Sequence, residues 1–387
     1  MNIKEIFNSI AESIRNKLNI EDKILPINYS NEINKIVTDI VVDKINGIGN
    51  ITVICEGLSK YTEDVEDLSI GRTQLAATTV NTYALFGGGG DAITQYSTVD
   101  TYNTSLVKFT TANLSVGRYS LAATSVGNYA LFGGGSNISG SFNTVDTYDL
   151  SLSHSISTVL SEARYYLKAT SVGNYAIFAG GYIGGGTNIT DAYNSSLVKS
   201  DIMKMTSSVL HFAAASNSSY ALFAGGTDGS GNNYKNVTAY NSSLTRTPTS
   251  VLKYARSSLA ATTVGDYALF AGGSDNSGLL NIVDTYNSSL TKGTATDLTS
   301  ARYQLAATSV GSYALFAGGY EGIDDTRSDI VDTYTSSLVH DTTESLIIGR
   351  QNLAATALNN YAIFAGGDTR IDGNLYYASK PDIYTGQ

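Results

Sequence analysis

The chain has a single cysteine, Cys55, in 387 residues. That excludes an intrachain disulfide framework and a zinc site built on paired thiolates. Histidine is nearly as scarce. His154, His211 and His340 are the whole supply, and they assemble no metal trio, no Cys/His nucleophile pair and no Ser/His/Asp arrangement. Charged residues are 15% of the chain and leave a net charge of −10, so the clustered Lys and Arg that displace counterions from nucleic acid are missing. No apolar run reaches the ~20 residues that cross a bilayer. The start, Met1-Asn2-Ile3-Lys4-Glu5, lacks the basic-then-apolar order of a secretory signal. These absences predict a non-catalytic protein made in the cytoplasm, without metal, cofactor, nucleic-acid partner or membrane insertion, and held together by packing.

What is abundant is glycine and tyrosine, 38 and 27 residues, and they recur in register. The phrase Gly117-Arg118-Tyr119-Ser120-Leu121-Ala122-Ala123-Thr124-Ser125-Val126-Gly127-Asn128-Tyr129-Ala130-Leu131-Phe132-Gly133-Gly134-Gly135 is repeated seven times with small changes. Its central tyrosine returns as Tyr83, Tyr129, Tyr175, Tyr220, Tyr267, Tyr313 and Tyr361 at steps of 45 to 48 residues, the period of a four-stranded propeller blade. Each repeat divides into four strand signals. Leu121-Ala122-Ala123-Thr124 is rich in small residues, as an inner strand crowded round a channel must be. Tyr129-Ala130-Leu131-Phe132 is apolar on both faces and reads as buried between neighbouring blades. Val145-Asp146-Thr147-Tyr148 alternates, and Ser105-Leu106-Val107-Lys108-Phe109 has the polar face of an outer edge. The expected fold is all-β, a seven-bladed propeller over residues 51–387. The last repeat ends at Gln387 after its third strand, and Gly57-Leu58-Ser59-Lys60-Tyr61 matches the outer strand of other repeats. Residues 57–63 are therefore expected to complete the last blade and close the ring.

An arginine opens six repeats (Arg72, Arg118, Arg164, Arg256, Arg302 and Arg350), and an aspartate opens the third strand of six (Asp100, Asp146, Asp191, Asp284, Asp332 and Asp382). The fourth repeat has Val209 and Thr238 in place of both. Losing one member of a buried ion pair leaves an uncompensated charge, whereas losing both can be nearly neutral. Joint absence therefore predicts structural Arg–Asp pairs. The rival reading is a ring of arginines that binds an acidic ligand at the channel mouth. Gly87-Gly88-Gly89-Gly90 leads to neither a helix nor a Lys-Ser/Thr and is no phosphate loop. Asp228-Gly229-Ser230-Gly231-Asn232 and Asp324-Asp325 lack a full calcium ladder and read as solvated turns.

The loops after the paired glycines differ in every repeat. They carry Tyr96, Phe142, Tyr182, Tyr234, Tyr320 and Tyr376, with Leu279 and Tyr377, among Asp, Asn, Ser and Gly. Loops on a rigid scaffold are where recognition residues tend to sit, and this mixture suits an adaptable binding surface. The six aromatic positions are the candidate ligand-binding residues.

With Arg before the first strand, paired glycines after an aromatic-bearing second strand and Tyr in the third, the chain resembles the kelch family across all seven repeats. It departs from that family in having no tryptophan; Leu58, Leu106, Leu152, Leu197, Leu244, Leu290 and Leu338 stand at comparable fourth-strand places. Enzymes on kelch-like propellers, such as copper oxidases, are disfavoured by the missing histidines.

Residues 1–50 have a different pattern. Asn2 and Glu5 fit a reciprocal cap, Ile3, Phe7, Ile10, Ile14 and Leu18 share one helical face, and Ile33, Ile36, Ile40 and Val41 form another stripe after Pro26. This predicts a short α-helical attachment or oligomerisation segment. The run Ile10-Ala11-Glu12-Ser13-Ile14-Arg15-Asn16-Lys17, followed by Ile24-Leu25-Pro26, resembles a segment of tail-associated proteins from phages and prophages of Gram-positive bacteria. The resemblance implies a virion or tail-like particle, with residues 1–50 held by other tail or baseplate proteins. It also implies a propeller that adheres to a bacterial surface glycan or protein. The alternatives are a structural tail scaffold and a carbohydrate-active enzyme.

Overall fold

The computed structural model describes residues 57–386 except 323 and 324; the helical segment expected over 1–50 lies outside the described residues. Seven four-stranded antiparallel sheets form the blades. In chain order they occupy 76–110, 122–156, 168–201, 213–247, 260–294, 306–343 and 354–386, the last sheet being completed by Leu58–Lys60. There is no helix among the described residues. Inner strands such as Ala122–Val126 alternate between buried and half-buried positions, with one face on the channel. Second strands such as Tyr129–Gly133 are buried after their first residue, on both faces. Seven apolar clusters fill the seven gaps between adjacent blades.

Two devices close the ring. Leu58–Lys60 pairs antiparallel with Asp382–Gly386, Ser59 opposite Thr385, and Tyr61 N donates to Ile383 O at 2.8 Å. Between blades, the second glycine of each pair donates its N–H to the carbonyl of the residue opening the next repeat. Gly135 donates to Arg164 at 2.9 Å, Gly181 to Val209 at 2.9 Å, and Gly367 reaches back to Arg72 at 2.9 Å. Glycine is required there: Gly135 has φ +100°, and a Cβ would stand 2.9 Å from Tyr119 O.

The outer-strand register differs from the sequence expectation. Leu106, Leu152, Leu197, Leu244, Leu290 and Leu338 lie in the turn before the outer strand, at φ of 58–61°, and only Leu58 is within a strand. The preceding side chain captures the backbone. Asn103 Oδ1 accepts from Ser105 N at 3.0 Å and Val107 N at 2.9 Å, and Leu106 N donates to Asn103 O at 2.8 Å. This turn swings Leu106 onto the core, where it is 5% exposed, and burial of the side chain offsets the cost of a left-handed leucine.

Candidate functional site

The repeated charges face inward. Each of the six arginines meets the aspartate of its own blade at 2.5–2.8 Å, and all twelve side chains are buried. Arg118 shows the full pattern: Nη2 donates to Asp146 Oδ2 at 2.6 Å and Phe132 O at 3.1 Å, and Nε to Gly134 O at 2.7 Å. The guanidinium thus ties the entry of the blade to the ends of its second and third strands. None of these six arginines is left open at the channel mouth to hold an acidic ligand. A second basic side chain that the sequence reading missed comes from the outer strand. Lys108, His154, Lys199, Lys292, His340 and, across the closure, Lys60 reach the six aspartates at 2.7–3.2 Å. Burial opposes ionisation of Asp146, but the Arg118 charge and the hydrogen bonds from His154 and Ser115 outweigh it and hold its pKa below the usual carboxylate range. Asp100, Asp191 and Asp332 are lowered against burial in the same way by Arg72, Arg164 and Arg302. In the fourth blade Val209 is buried where the arginine would be, and Thr238 Oγ1 accepts from Thr206 N at 3.1 Å. Neutral groups satisfy one another there.

The six loop aromatics do not form one exposed surface. Tyr96 donates to Asp91 of its own loop. Tyr234 packs on the cluster between the third and fourth blades. Tyr320 lies 5.4 Å from the Tyr303 ring and under Arg327. Phe142 is half-buried, and of the six only Tyr376 is exposed, at 47%. The most exposed apolar tips of these loops are aliphatic: Ile93 at 85%, Ile138 at 91%, Ile183, Ile371 and Leu375. They belong to the seventh, first, second and third blades, an unbroken arc. Asp228 Oδ1 is occupied by Ser230 N and Asn232 N of its own turn, and no group of metal-ligating side chains occurs among the described residues.

Tyr182 leads elsewhere. Its ring lies 5.2 Å from Tyr165, which lies 4.8 Å from Tyr166, which lies 4.1 Å from His211. This chain of rings runs from the loop face to the channel mouth. There, one residue from each blade (Gln74, Ser120, Tyr166, His211, Ser258, Gln304 and Asn352) adopts φ of 53–56°. Six of the seven, all but His211, donate their backbone N–H to the carbonyl of their counterpart in the preceding blade at 2.6–3.1 Å, so that the bonds run round the mouth from Asn352 to Gln74 and on. At the step from Tyr166 to His211 the two rings meet instead. The ring encloses a cavity of about 150 Å³ that also admits Lys168. Below it the lumen, about 190 Å³, is walled largely by paired alanines such as Ala122 and Ala123. Burial, and then the nearby Lys168 charge, pull the His211 pKa down to about 4. His211 is therefore neutral at pH 7.

That depression has a measurable consequence. Between pH 6.5 and 4 the unfolded chain takes up a proton at residue 211 that the folded chain refuses, so stability falls as pH falls through this window. The loss is about 3 kcal/mol over the window. His211→Asn is expected to abolish it, read as a urea midpoint that no longer drops between pH 7 and pH 4.5. Asp100, Asp146, Asp191 and Asp332 act in the same sense and lower down. The folded pKa values of these four are depressed, so their stabilisation is complete above the ordinary carboxylate pKa and is lost as pH falls through the folded values.

Fold and mouth together define a seven-bladed β-propeller with an asymmetric polar channel entrance. Neither a family model nor a curated protein sequence matches the chain. Among solved structures it is similar to one described as "Structure of YjhT", at TM-score 0.57 and 12% identity over 72% of this chain and 99% of that one. That likeness shows the propeller fold, which is compatible with a scaffold for protein interactions.

Proposed function

We propose that the chain is a non-catalytic adhesion module, a phage or prophage tail component whose propeller binds a bacterial surface through the face bearing the unrepeated loops. The observation that carries this reading is the separation of repeated from unrepeated residues. Arg, Asp and the third-strand Tyr are engaged inside the blades, while blade-to-blade differences and the exposed Ile93, Ile138, Ile183 and Ile371 gather on one face. The kelch-like repeat supports a rigid display platform, and the likeness of residues 10–26 to tail-associated segments supports attachment of 1–50 to tail or baseplate proteins. Of the two partner classes, the aliphatic tips Ile93, Ile138 and Ile183 favour a protein over a glycan, for which exposed aromatic rings would serve better. A structural tail scaffold would use the same face.

The test is sedimentation of the full chain with cell-wall material from Gram-positive bacteria. Ile93→Asp with Ile138→Asp is expected to cut binding at least tenfold, because each places a charge in the centre of an apolar contact. Val198→Asp with Val339→Asp, exposed on turns at the opposite face, is expected to leave binding unchanged. The reverse pattern, or cell-wall binding indifferent to both pairs, sinks the proposal.

A further inference from the structure

The inner strands begin Leu-Ala-Ala in five blades and Phe-Ala-Ala in the fourth, but Leu167-Lys168-Ala169 in the third. A lysine thus stands where every other blade has alanine. Its side chain is exposed to the lumen, the surrounding channel wall pulls its pKa below the ordinary lysine value by desolvation, and it borders both the mouth cavity and the alanine-lined space below. Among the described residues no carboxylate pairs with it, whereas each of the six buried repeat arginines has an aspartate. Charges withdrawn from bulk water are ordinarily paired. The neighbouring residue of the mouth that could share the charge, His211, is neutral at pH 7. The lumen at this level therefore holds one lysine without a carboxylate partner, a rim of neutral donors and a floor of methyl groups.

We propose that the channel mouth is a binding site for a small organic monocarboxylate, its carboxylate on Lys168 and its carbon end on the alanine floor. A single ammonium matches one negative charge; a phosphate dianion would be left undercompensated in a confined space. The amides of Gln74 and Gln304 and the hydroxyls of Ser120, Ser258 and Tyr166 offer hydrogen bonds to the carboxylate or to hydroxyls on the ligand. The aromatic series Tyr182, Tyr165, Tyr166 and His211 connects this site to the loop face. The site stands independently of the adhesion proposal, since it rests on the lumen and not on the exposed loop tips.

Lys168→Ala is a clean variant, because alanine is what the other six blades carry at this position, and its folding is checked by an unchanged or raised unfolding temperature. Calorimetric titration of the full chain at pH 7 and constant chloride uses acetate, glucuronate, acetamide and inorganic phosphate as probes. Acetate or glucuronate is expected to bind the native chain, at least tenfold more weakly to the Lys168→Ala variant, and more tightly than acetamide or phosphate. Carboxylate binding that survives Lys168→Ala overturns the proposal, as does absence of binding by both carboxylates or a preference for phosphate.

Discussion

Arg118→Val is expected to destabilise the propeller by about 3–5 kcal/mol, the cost of leaving a buried charge without its partner. Asp146 would keep His154 at 2.7 Å, but the carbonyls of Gly134 and Phe132 would lose their donor. The fourth blade supplies the comparison, since it folds with Val209 and Thr238 at these two places. Adding Asp146→Thr to Arg118→Val should therefore recover on the order of 2 kcal/mol, the size of coupling found between residues in one buried network. Chemical denaturation of the two single variants and the double variant measures it. Additive losses would mean that the arginine acts through the backbone carbonyls and that the aspartate is incidental.

Deleting residues 57–61 is expected to have an effect of similar size with a different signature. The deletion strips the outer strand from the seventh blade, leaving Asp382–Gly386 as an unpaired edge and removing Lys60 from Asp382, 2.8 Å away. The lost ladder bonds alone cost about 3 kcal/mol at about 1 kcal/mol each, and the new edge can pair with another chain. Lower unfolding temperature together with concentration-dependent association, seen by light scattering, is the predicted outcome. A deleted chain that stays monomeric with the native unfolding temperature would show that the strand does not close the ring. The complementary variant, Ser59→Cys with Thr385→Cys, joins residues directly opposite in register and should stabilise the oxidised form by about 3–5 kcal/mol.

The blade number and strand order were legible in the sequence because one period repeats seven times and each strand has its own burial pattern. The Arg–Asp partnership was legible for a subtler reason: both residues are missing from the same repeat. The second partner follows an equally regular rule, a basic residue eight positions after the aspartate, as in Asp146 and His154 or Asp191 and Lys199. Two histidines weighed as ligand candidates are members of that series, which is why they converge on nothing else. The leucine register was misplaced because a left-handed leucine runs against local preference and is held there by an asparagine side chain and by the core. The loop tyrosines could not be sorted into packed and exposed, since Tyr96 and Tyr376 have the same chemistry and differ only in what their own loops offer them. The channel mouth was least legible of all. Tyr166, Lys168 and His211 come from two blades and meet only once the third and fourth blades pack, and the one signal in the sequence is the single Lys among the paired alanines.

The account as a whole holds that the repeated residues build the platform and the unrepeated face does the binding. Hydrogen exchange of the full chain, alone and captured on bacterial cell-wall material, tests this most directly. Protection gained on capture should fall in the loops after the paired glycines, at 91–95, 137–141, 182–187 and 369–376, with the turns 103–107 and 194–198 unchanged. Protection confined to those turns, with the loops exchanging as in the free chain, would contradict it.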